Sequence, residues 1–365
     1  MSSESSLPWL LYGAYGFTGR LLAEEAVRRG HRPILAGRDP ERVRAIGEEL
    51  ACPVRVFSLD DSDALAAGLE GVRAVLNAAG PFIYTAPPLL AMAIEKGVHY
   101  LDITGEVPVF EMVFALDHDA RARGVALLPG IGMDVIPTDA VAALLAERLP
   151  TADRLDLALR SGGTPSAGTL RTIVHHLKDG LLVRREGKLG RANPGRREFL
   201  RRVGFGPGRE GGVRPVAPYT WGDLSTAFRT TGIENITCYM ARSRREVRLL
   251  PWVLPVLRLL FALGPVRRIA ERRIAAGPPG PDAETRKTAR TRVWGRVRDA
   301  EGRSASIGLE TMEGYRFTGE AGVRALEALL ARPALVGALT PARAFGARWV
   351  LDLPETRLVE TEAEA

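Results

Sequence analysis

The sequence has little cysteine, which limits the sites it can hold. Its two cysteines, Cys52 and Cys238, lie far apart and form no CxxC pair. We therefore expect buried, reduced thiols and no disulfide framework. Histidine is also scarce, and the adjacent pair His175 and His176 lacks the spacing of metal ligands. We predict that the protein has no metal site.

Lysine is nearly absent, since only four of the 50 basic residues are lysine and the rest are arginine. A net charge of +7 fits a nucleic acid, an acidic protein or a membrane surface as partner. The sequence lacks a basic region with heptads, zinc-finger spacing and an aromatic RNA-binding signature, so we exclude nucleic acid. No basic start precedes a long apolar segment, so we expect no signal peptide and a cytoplasmic location.

The length of 365 residues favours two domains, and the first shows a regular alternation of elements. Apolar runs of strand type alternate with helical patterns of about ten residues, which predicts a parallel sheet with helices on both faces. We therefore predict the α/β class, with an N-terminal Rossmann domain and a doubly wound sheet over residues 1–135. The predicted strands lie in "PWLLY", "RPILAGR", "PVRVFSL", "VRAVLN", "VHYLD" and "VALLP".

The helices between these strands also have recognisable limits. "DPERVRAIGEEL" begins with Asp39 as N-cap and Pro40 at the first helical position. "APPLLAMAIEKG" (86–97) and "VPVFEMVFALDHDARARG" (107–124) are each predicted as one helix.

The stretch "GAYGFTG" joins the first strand to the first helix, with glycines three residues apart. Glycine readily takes the positive φ of a tight turn, and a bare backbone lets a diphosphate approach the helix N-terminus. The GxxGxxG spacing alone also fits a structural turn, but the strand before it and the helix after it favour a dinucleotide. The predicted cofactor-binding residues here are Gly13, Tyr15, Gly16, Phe17, Thr18 and Gly19.

The residue after the second strand indicates which dinucleotide binds. NAD enzymes usually place Asp or Glu there, to hold the ribose 2′-hydroxyl. Here "AGRDPER" has Arg38 at this position, and a guanidinium can bind a phosphate through two hydrogen bonds. We therefore predict NADP(H). Arg42 fits either a second contact with the 2′-phosphate or an exposed helix arginine.

The fourth and fifth strands end in "NAAGPF" and "DITGE", where small residues would let the nicotinamide pass close to the backbone. Two ordinary strand-to-helix loops are the alternative. The cofactor-binding residues predicted at these ends are Asn77, Ala79, Gly80, Pro81, Thr104 and Gly105.

Hydride transfer asks the protein mainly for a proton and for stabilisation of developing charge. The sequence lacks the Ser-Tyr-Lys arrangement of short-chain reductases, because no lysine follows Tyr84 by four residues. The phenol of Tyr84 remains a candidate proton donor. Glu106 and Asp134 are further candidate proton carriers, with a loop cap or a hinge contact as the alternative for each.

Four of these motifs, taken in order, resemble those of the saccharopine dehydrogenase-like oxidoreductases, and most of all the trans-acting enoyl reductase branch. They are "GAYGFTGRL", "AGRDPERV", "LNAAGPF" and "HYLDITGE". Further stretches resemble the same branch, namely "GIGMDVIPTD", "WGDLSTAFRTTGI", "AGPPGPDAETR…VWGRVRD" and "TPARAFGARWVLDLP". The resemblance implies an NADP-binding Rossmann domain, then a mixed α+β domain, with a C-terminal segment (336–365) that returns to the first.

The resemblance also implies site residues and an activity. On the substrate side it implies Trp221, Asp223, Ser225 and Thr226. We hypothesise that the protein reduces the C=C bond of an enoyl thioester, on a lipid or polyketide chain that a carrier protein can hold. The alternatives are reduction of an imine formed from an amino acid and a keto acid, and a redox-inert dinucleotide-binding protein associated with membranes or lipid.

The second half reads as an α+β domain over 136–335. "RLDLALRS" is predicted as a half-buried strand, and "FTGEAGVRALEALLAR" as a helix. The segments "NITCYMARS", "RTRVWGRVRDAEG" and "SASIGLETMEGY" are predicted as strands of an antiparallel sheet. This layout suits a substrate domain that also forms a homodimer.

Two segments of this half have unusual composition. Residues 184–202 carry eight arginines and lysines against two glutamates, which fits an exposed loop or a docking patch for an acidic acyl carrier protein or a CoA phosphate. Residues 248–266 are strongly apolar but shorter than the roughly 20 apolar residues that span a bilayer. They fit packing inside the domain or at a dimer interface, or else a peripheral membrane contact or an acyl-chain groove with basic flanks.

Overall fold

This computed structural model describes residues 8–176, 180–192, 201–207 and 211–361. The chain divides into two compact units. The N-terminal unit comprises the chain up to Asp134 together with Tyr315–Phe345, and the second unit comprises Val135–Gly314 and the residues from Gly346 onward.

In the first part of the N-terminal unit, strands and helices alternate as the sequence predicts. Asp39 caps the second helix, because its carboxylate accepts a hydrogen bond from the Arg42 amide. In chain order the elements are β1 (Trp9–Tyr12), α1 (Phe17–Arg28), β2 (Ile34–Gly37), α2 (Pro40–Leu50), β3 (Val54–Val56), α3 (Ser62–Gly68), β4 (Ala74–Asn77), α4 (Phe82–Lys96), β5 (His99–Asp102), α5 (Val107–Ala115), α6 (Asp117–Arg123) and β6 (Ala126–Leu128).

The rest of the chain forms the second unit, except for a segment that belongs to the N-terminal one. In chain order, the remaining elements are α7 (Ile136–Arg148), β7 (Arg154–Arg160), α8 (Ala167–His176), β8 (Leu182–Arg185), β9 (Lys188–Arg191), β10 (Arg201–Gly204), β11 (Val213–Pro218), α9 (Asp223–Thr231), β12 (Asn235–Ala241), α10 (Arg244–Ala262), α11 (Gly264–Ala275), α12 (Ala283–Thr288), β13 (Arg290–Arg298), β14 (Ser304–Met312), α13 (Gly314–Leu330), β15 (Gly337–Ala338), α14 (Pro341–Phe345), a 3-10 helix (Ala347–Asp352) and β16 (Arg357–Val359). Of these, α13 from Tyr315 onward, β15 and α14 belong to the N-terminal unit.

The sheet of the N-terminal unit is parallel, with the strand order β3-β2-β1-β4-β5-β6-β15. The first six positions give the Rossmann order, in which β2 and β3 lie on one side of β1 and β4, β5 and β6 lie on the other. This confirms the predicted parallel, doubly wound sheet and adds β15, which the sequence analysis did not predict. All four residues of β1 are buried, as expected for a central strand covered on both faces.

Two helices of this unit differ from their predicted limits. α4 begins at Phe82 rather than Ala86, so that Pro87 and Pro88 lie inside it. The predicted helix over 107–124 is broken at Leu116 into α5 and α6. α6 starts at Asp117, whose carboxylate accepts a hydrogen bond of 2.7 Å from the Ala338 amide of β15. A contact between distant residues thus sets this boundary.

The second unit contains a mixed sheet, with the order β10-β11-β12-β7-β13-β14-β16 and with β8 and β9 attached to β12. β12 runs parallel to β7, whereas β13 and β14 form an antiparallel pair. β7 was predicted to be half-buried, but the residues from Leu155 to Leu159 are all buried. The reason is its central position between β12 and β13, with Leu157 on the side of α7 and Ala158 in an apolar cluster with Trp294.

The segment that returns to the N-terminal unit differs from the one predicted. Residues 315–345 return, whereas the chain from Gly346 onward stays with the second unit, where β16 pairs with β14. In the returning helix α13, Glu327 accepts hydrogen bonds of 2.8 Å from Arg29 and His31. Gly322 packs so closely on Leu22 that a Cβ there would lie 2.7 Å from its Cδ2.

The apolar segment 248–266 forms most of α10 and the start of α11, and α10 has no buried residue. The interpretation that it packs inside the domain is therefore wrong. The helix is nonetheless well defined locally, because Ser243 and Glu246 form a capping box at its start.

Close packing between α7 and β13 gives a stability prediction. A Cβ at Gly295 would lie 2.5 Å from Cγ1 of Val141 and 2.7 Å from Cδ1 of Leu145. We expect Gly295→Val to lower the free energy of unfolding by about 2 kcal/mol through overpacking. Gly190→Val is the matched control, because nothing lies within 4 Å of a Cβ at that position. Equal unfolding midpoints for the two variants in denaturant would contradict the packing described here.

Candidate dinucleotide-binding site

The corner between β1 and α1 is built from bare backbone. Gly13 has φ +82°, and a Cβ there would lie 2.8 Å from the amide nitrogen of Ala79. At Gly19 a Cβ would overlap the carbonyl oxygen of Gly13. Both positions therefore require glycine, one for its backbone conformation and both for the close approach of neighbouring backbone.

The start of α1 is open to an anion. Gly16 is the N-cap of this helix, and no side chain caps the amides of its first turn. Such amides, together with the positive end of the helix dipole, attract phosphate oxygens. The residues from Tyr15 to Thr18 are half-buried, between fully buried neighbours. The backbone of the predicted phosphate-binding corner is thus accessible, and the residues on either side of it are buried.

Two arginines lie beside this corner. Arg38 follows β2 directly and is exposed. The guanidinium carbon of Arg42 lies 4.4 Å from the centre of the Tyr15 ring, and its Nη2 donates a hydrogen bond of 3.3 Å to the Tyr15 carbonyl. The Tyr15 ring in turn covers Gly37, where a Cβ would lie 2.5 Å from Cε1 of the tyrosine. Arg42 is thus held beside the corner while remaining exposed, and its role as a second phosphate contact stays a prediction.

Burial raises the pKa of Tyr12, at the end of β1, to about 12, and the charge of Arg38 acts in the opposite direction. Arg38 comes directly after Gly37, the last residue of β2, which pairs with the end of β1 at the carboxyl edge of the sheet. A cation at this position, after β2, is where a 2′-phosphate would be bound.

Asn77 was predicted to contact the cofactor, but its amide is used inside the protein. Its Nδ2 donates to the hydroxyls of Thr85, at 3.0 Å, and Tyr100, at 3.3 Å. Its Oδ1 accepts a hydrogen bond of 3.0 Å from the Ala79 amide. The side chain has no exposed surface. Asn77 thus holds the loop of Ala79, Gly80 and Pro81 in shape, and that loop carries the accessible atoms.

A buried aspartate that the sequence analysis missed continues this network. Asp102 accepts hydrogen bonds from the Tyr100 hydroxyl at 2.8 Å, the Thr104 amide at 3.0 Å and the Gly130 amide at 2.9 Å. Burial nevertheless raises its pKa to about 6. It ties β5 to the loop after β6. The sequence signal that could have identified Asp102 is a charged residue at the end of the otherwise buried strand "HYLD".

Glu106 was a candidate proton carrier, and the structure favours the loop-cap alternative instead. Its Oε1 accepts from the Phe82 amide at 2.8 Å and its Oε2 from the Ile83 amide at 3.0 Å. Both carboxylate oxygens therefore cap the first turn of α4, where the helix dipole stabilises a negative charge. Thr104, predicted to contact the cofactor, is also buried, and its hydroxyl accepts from the Glu106 amide.

The other two catalytic candidates differ in their surroundings. Tyr84 lies in the first turn of α4, with 63% of its area exposed. Asp134 lies after β6 with its carboxylate against Gly105, where a Cβ would be 2.7 Å from Oδ2. Although Asp134 keeps some exposed surface, the dense protein around it raises the pKa of its carboxyl to about 6. The structure thus brings Asp134 and Gly105 together at the edge of the N-terminal sheet.

The predicted substrate residues lie in the second unit, around the start of α9. Asp223, Ser225 and Thr226 have no exposed surface, and α9 packs on α7. Ser225 and Thr226 were predicted to line the substrate side, but their burial favours a packing role. Trp221 is partly exposed and contacts the Tyr219 ring at 5.4 Å between ring centres.

The basic segment 184–202 is not the single exposed loop that was predicted. Much of it forms the β8–β9 hairpin and the edge strand β10, and Arg196 and Arg197 lie outside the described residues. Arg184 is buried and donates to the Gly187 carbonyl at 2.6 Å. Arg201 forms an ion pair of 2.7 Å with Asp156. Among the described residues of the segment, the exposed cations are Arg185, Lys188, Arg191 and Arg202.

Cys52 and Cys238 are both buried and unpaired, as predicted. Among the residues described by the structure, no group of three or more His, Cys, Asp or Glu side chains could hold a metal ion.

Comparison with known proteins identifies the N-terminal unit. Residues 9–128 match the family model of the saccharopine dehydrogenase NADP binding domain. These limits run from the first residue of β1 to the last of β6, so that they include the glycine corner, Arg38 and the loops after β4 and β5. The predicted family resemblance, Rossmann domain and NADP cofactor are thereby confirmed.

Curated relatives carry the name trans-acting enoyl reductase. The one from Mycobacterium ulcerans (strain Agy99) is 30% identical over 146 residues, which is 38% of this chain and 35% of the relative. The one from Mycobacterium tuberculosis (strain H37Rv) is 33% identical over 145 residues, again 38% of this chain and 35% of the relative. The match thus spans about a third of the length of these relatives.

A solved structure shares the fold over nearly the whole chain. It is the apo form of saccharopine dehydrogenase (L-Glu forming) from Saccharomyces cerevisiae, with a TM-score of 0.62 and 13% sequence identity. The match covers 98% of this chain and 100% of the yeast chain. The fold predicted from the sequence, a Rossmann domain followed by a second domain with a mixed sheet, is therefore found in a solved protein.

The position of Arg38 predicts a preference between the two nicotinamide cofactors. We expect Arg38→Ala to raise the Kd for NADPH at least about 10-fold, through loss of charge-assisted hydrogen bonds, and that for NADH less than about 2-fold. Arg44→Ala is the matched control, since Arg44 is exposed on α2, the helix that follows Arg38. Isothermal titration with both cofactors measures the difference, and equal losses for NADPH and NADH would refute the phosphate assignment.

The position of Glu106 predicts that it stabilises the fold. We expect Glu106→Gln to lower the free energy of unfolding by about 1–2 kcal/mol, because a neutral amide is a weaker cap for α4. Glu95→Gln, an exposed change on the same helix, is the matched control and should leave the Tm unchanged. An unchanged Tm for Glu106→Gln, combined with loss of turnover, would restore the proton-carrier interpretation.

Proposed function

We propose that this chain, whose residues 9–128 are a saccharopine dehydrogenase NADP binding domain, is an NADP-dependent oxidoreductase that reduces the C=C bond of an enoyl thioester. The observation that carries the proposal is the complete dinucleotide corner, with Arg38 beside it, in a domain of that family. The enoyl thioester is supported by the names of the curated relatives, which match over about a third of their length.

The residues present fit NADP(H). The diphosphate would contact the backbone around Gly16 at the start of α1, where no side chain competes for the amides. Arg38 and Arg42 would bind the 2′-phosphate, with Arg42 held against Tyr15. The loops after β4 and β5, shaped by Asn77 and Asp102, would border the nicotinamide.

NADPH, when bound, supplies a hydride, and a proton from the protein or solvent completes the reduction of the double bond. The protein therefore needs a group that can hold a proton near neutral pH. Asp134 is such a group in the N-terminal unit, because its surroundings raise the pKa of its carboxyl to about 6 and its Oδ2 lies against the backbone of Gly105. We assign it the role of proton carrier.

A carrier protein that presents the thioester is part of the proposal. An acidic carrier would meet favourable charge on a protein with a net charge of +7. Within the basic segment 184–202, the exposed cations of the β8–β9 hairpin, Arg185, Lys188 and Arg191, are the ones available for it. Arg184 and Arg201 are used inside the second unit.

The test is a panel of substrates. For each substrate, the loss of NADPH absorbance measures turnover and mass spectrometry identifies the product. We expect NADPH consumption with enoyl-CoA or enoyl-pantetheine thioesters, giving one saturated product per NADPH. A saturated thioester of equal length is the control and should give none. NADPH consumption with imines of amino acids and keto acids, but not with enoyl thioesters, would replace the proposal by an imine reductase. NADPH binding without any turnover would leave a redox-inert binding protein.

The role of Asp134 predicts a pH dependence. A proton donor must be protonated, so we expect kcat to fall as pH rises through about 6, where the raised pKa of its carboxyl lies. Asp134→Asn should lower kcat about 100-fold and remove this dependence, with the affinity for NADPH unchanged.

Asp63→Asn is the matched control, since Asp63 is exposed on α3 of the same unit. A wild-type kcat and pH profile in Asp134→Asn would transfer the role to another group. Tyr84→Phe then tests the phenol that the sequence analysis named.

A further inference from the structure

The helix pair of α10 and α11 (Arg244–Ala275, called the α10–α11 pair below) exposes an apolar surface that no described residue of the second unit covers. A helix that is apolar on all sides is normally buried in a core or in lipid. α10 is apolar on two sides, yet none of its residues is buried. The first side is half-buried and consists of Val247, Leu250, Pro251, Leu254, Leu257 and Phe261.

The second side of α10 is exposed. It recurs at intervals of three and four residues, so that these side chains form one continuous row along the helix. Trp252 is 78% exposed and Leu259 is 72% exposed. The row consists of Leu249, Trp252, Val253, Val256, Leu259, Leu260 and Leu263, and Ile269 on α11 is exposed as well. Such a continuous row differs from the surfaces of most soluble proteins, where exposed apolar residues are single and scattered.

The same pair of helices carries most of the net positive charge of the chain. Residues 244–275 contain eight arginines and two glutamates, in a protein whose formal net charge is +7. Arg244, Arg245 and Arg248 lie at the start of α10 and are exposed, and Arg268, Arg272 and Arg273 are exposed on α11. The apolar row is thus flanked by cations at both ends.

The geometry fits a position on a membrane surface. Within the described residues no single helix is long and apolar enough to cross a bilayer. Arg244–Ala262 and Gly264–Ile274 pass such a test only together, and they are bent by 100° at Leu263. An apolar row with a tryptophan and flanking arginines is the composition of a helix that lies in the plane of the membrane interface.

From these observations we infer that the α10–α11 pair is a peripheral membrane-binding element that recognises anionic phospholipid. The apolar row would insert between acyl chains, and the arginines would contact lipid phosphates. This inference concerns a surface away from the dinucleotide corner in the chain and does not depend on which substrate is reduced.

Charge complementarity favours lipid over the other possible occupants. A second copy of the chain, packed symmetrically through this surface, would bring two sets of arginines together, which costs free energy. An acidic protein could neutralise the arginines, but the length of the apolar row and its exposed Trp252 match an acyl layer better than the polar surface of an acidic carrier.

Vesicle flotation with the full-length protein tests the inference. We expect at least about 10-fold stronger partition into vesicles of phosphatidylcholine and phosphatidylglycerol than into phosphatidylcholine alone. Trp252→Glu combined with Leu259→Glu should lower the partition at least about 10-fold, because two exposed apolar side chains are lost from the row. Replacement of Arg268, Arg272 and Arg273 by Gln should abolish the preference for anionic lipid while leaving the row intact.

The matched control is Ala300→Glu combined with Ser304→Glu, which adds the same charge at exposed positions near the β13–β14 turn. It should change partition by no more than about 2-fold at moderate salt. NADPH affinity, measured for every variant, reports whether the fold is kept. Failure of the wild-type protein to float would overturn the inference. A second outcome would also overturn it: light scattering shows that the wild-type protein is a dimer, the double variant at Trp252 and Leu259 is a monomer, and the wild-type protein does not bind vesicles.

Discussion

The backbone of the β1–α1 corner packs directly on the backbone of the loop after β4, at Gly13 and Ala79. This contact leaves no room for a side chain at Gly13. Asn77 fixes the position of Ala79, the other residue of the contact, by accepting a hydrogen bond from its amide. The surface proposed for the diphosphate and the surface proposed for the nicotinamide are therefore parts of one rigid piece. A dinucleotide needs both at a fixed separation, so that this close approach sets the shape of the whole candidate site.

Beneath that edge, buried polar side chains maintain the loops rather than react. Asn77, Tyr100 and Asp102 form a chain of hydrogen bonds across β4, β5 and the loop after β6. Glu106 closes the same edge by capping α4. Because buried polar groups are costly when unpaired, such a network has essentially one satisfied arrangement. Asp134, with a raised pKa and some exposed surface, is the carboxyl at this edge that we propose as the proton carrier.

In the second unit, arginines serve two distinct purposes. Arg292 is buried in an ion pair with Glu310 and donates to the carbonyls of Phe205 and Pro207. Arg184 and Arg201 are likewise used internally. By contrast, most arginines of the α10–α11 pair are exposed beside an apolar row. The same residue type therefore stabilises the sheet in one place and forms a charged, accessible surface in another.

The Rossmann domain, the glycine corner, the Asp39 cap and the cation after β2 could all be predicted from the amino-acid sequence. These features depend on local periodicity, on backbone conformation and on position relative to a strand end, all of which can be read within a few residues. The parallel, doubly wound sheet followed from the alternation of strands and helices.

Which polar and apolar groups are buried depends on contacts between residues that are distant in the chain. Glu106 and Asp134 look equivalent in the sequence, but they differ in the fold, because two amides of α4 donate to Glu106 whereas the carboxylate of Asp134 lies against Gly105. Residues 315–345 joined the N-terminal unit through Arg29 and His31, almost 300 residues away from Glu327. The segment 248–266 would have the same composition whether it were buried or exposed. Burial is a property of what packs against a segment, and that partner is not encoded in the segment itself.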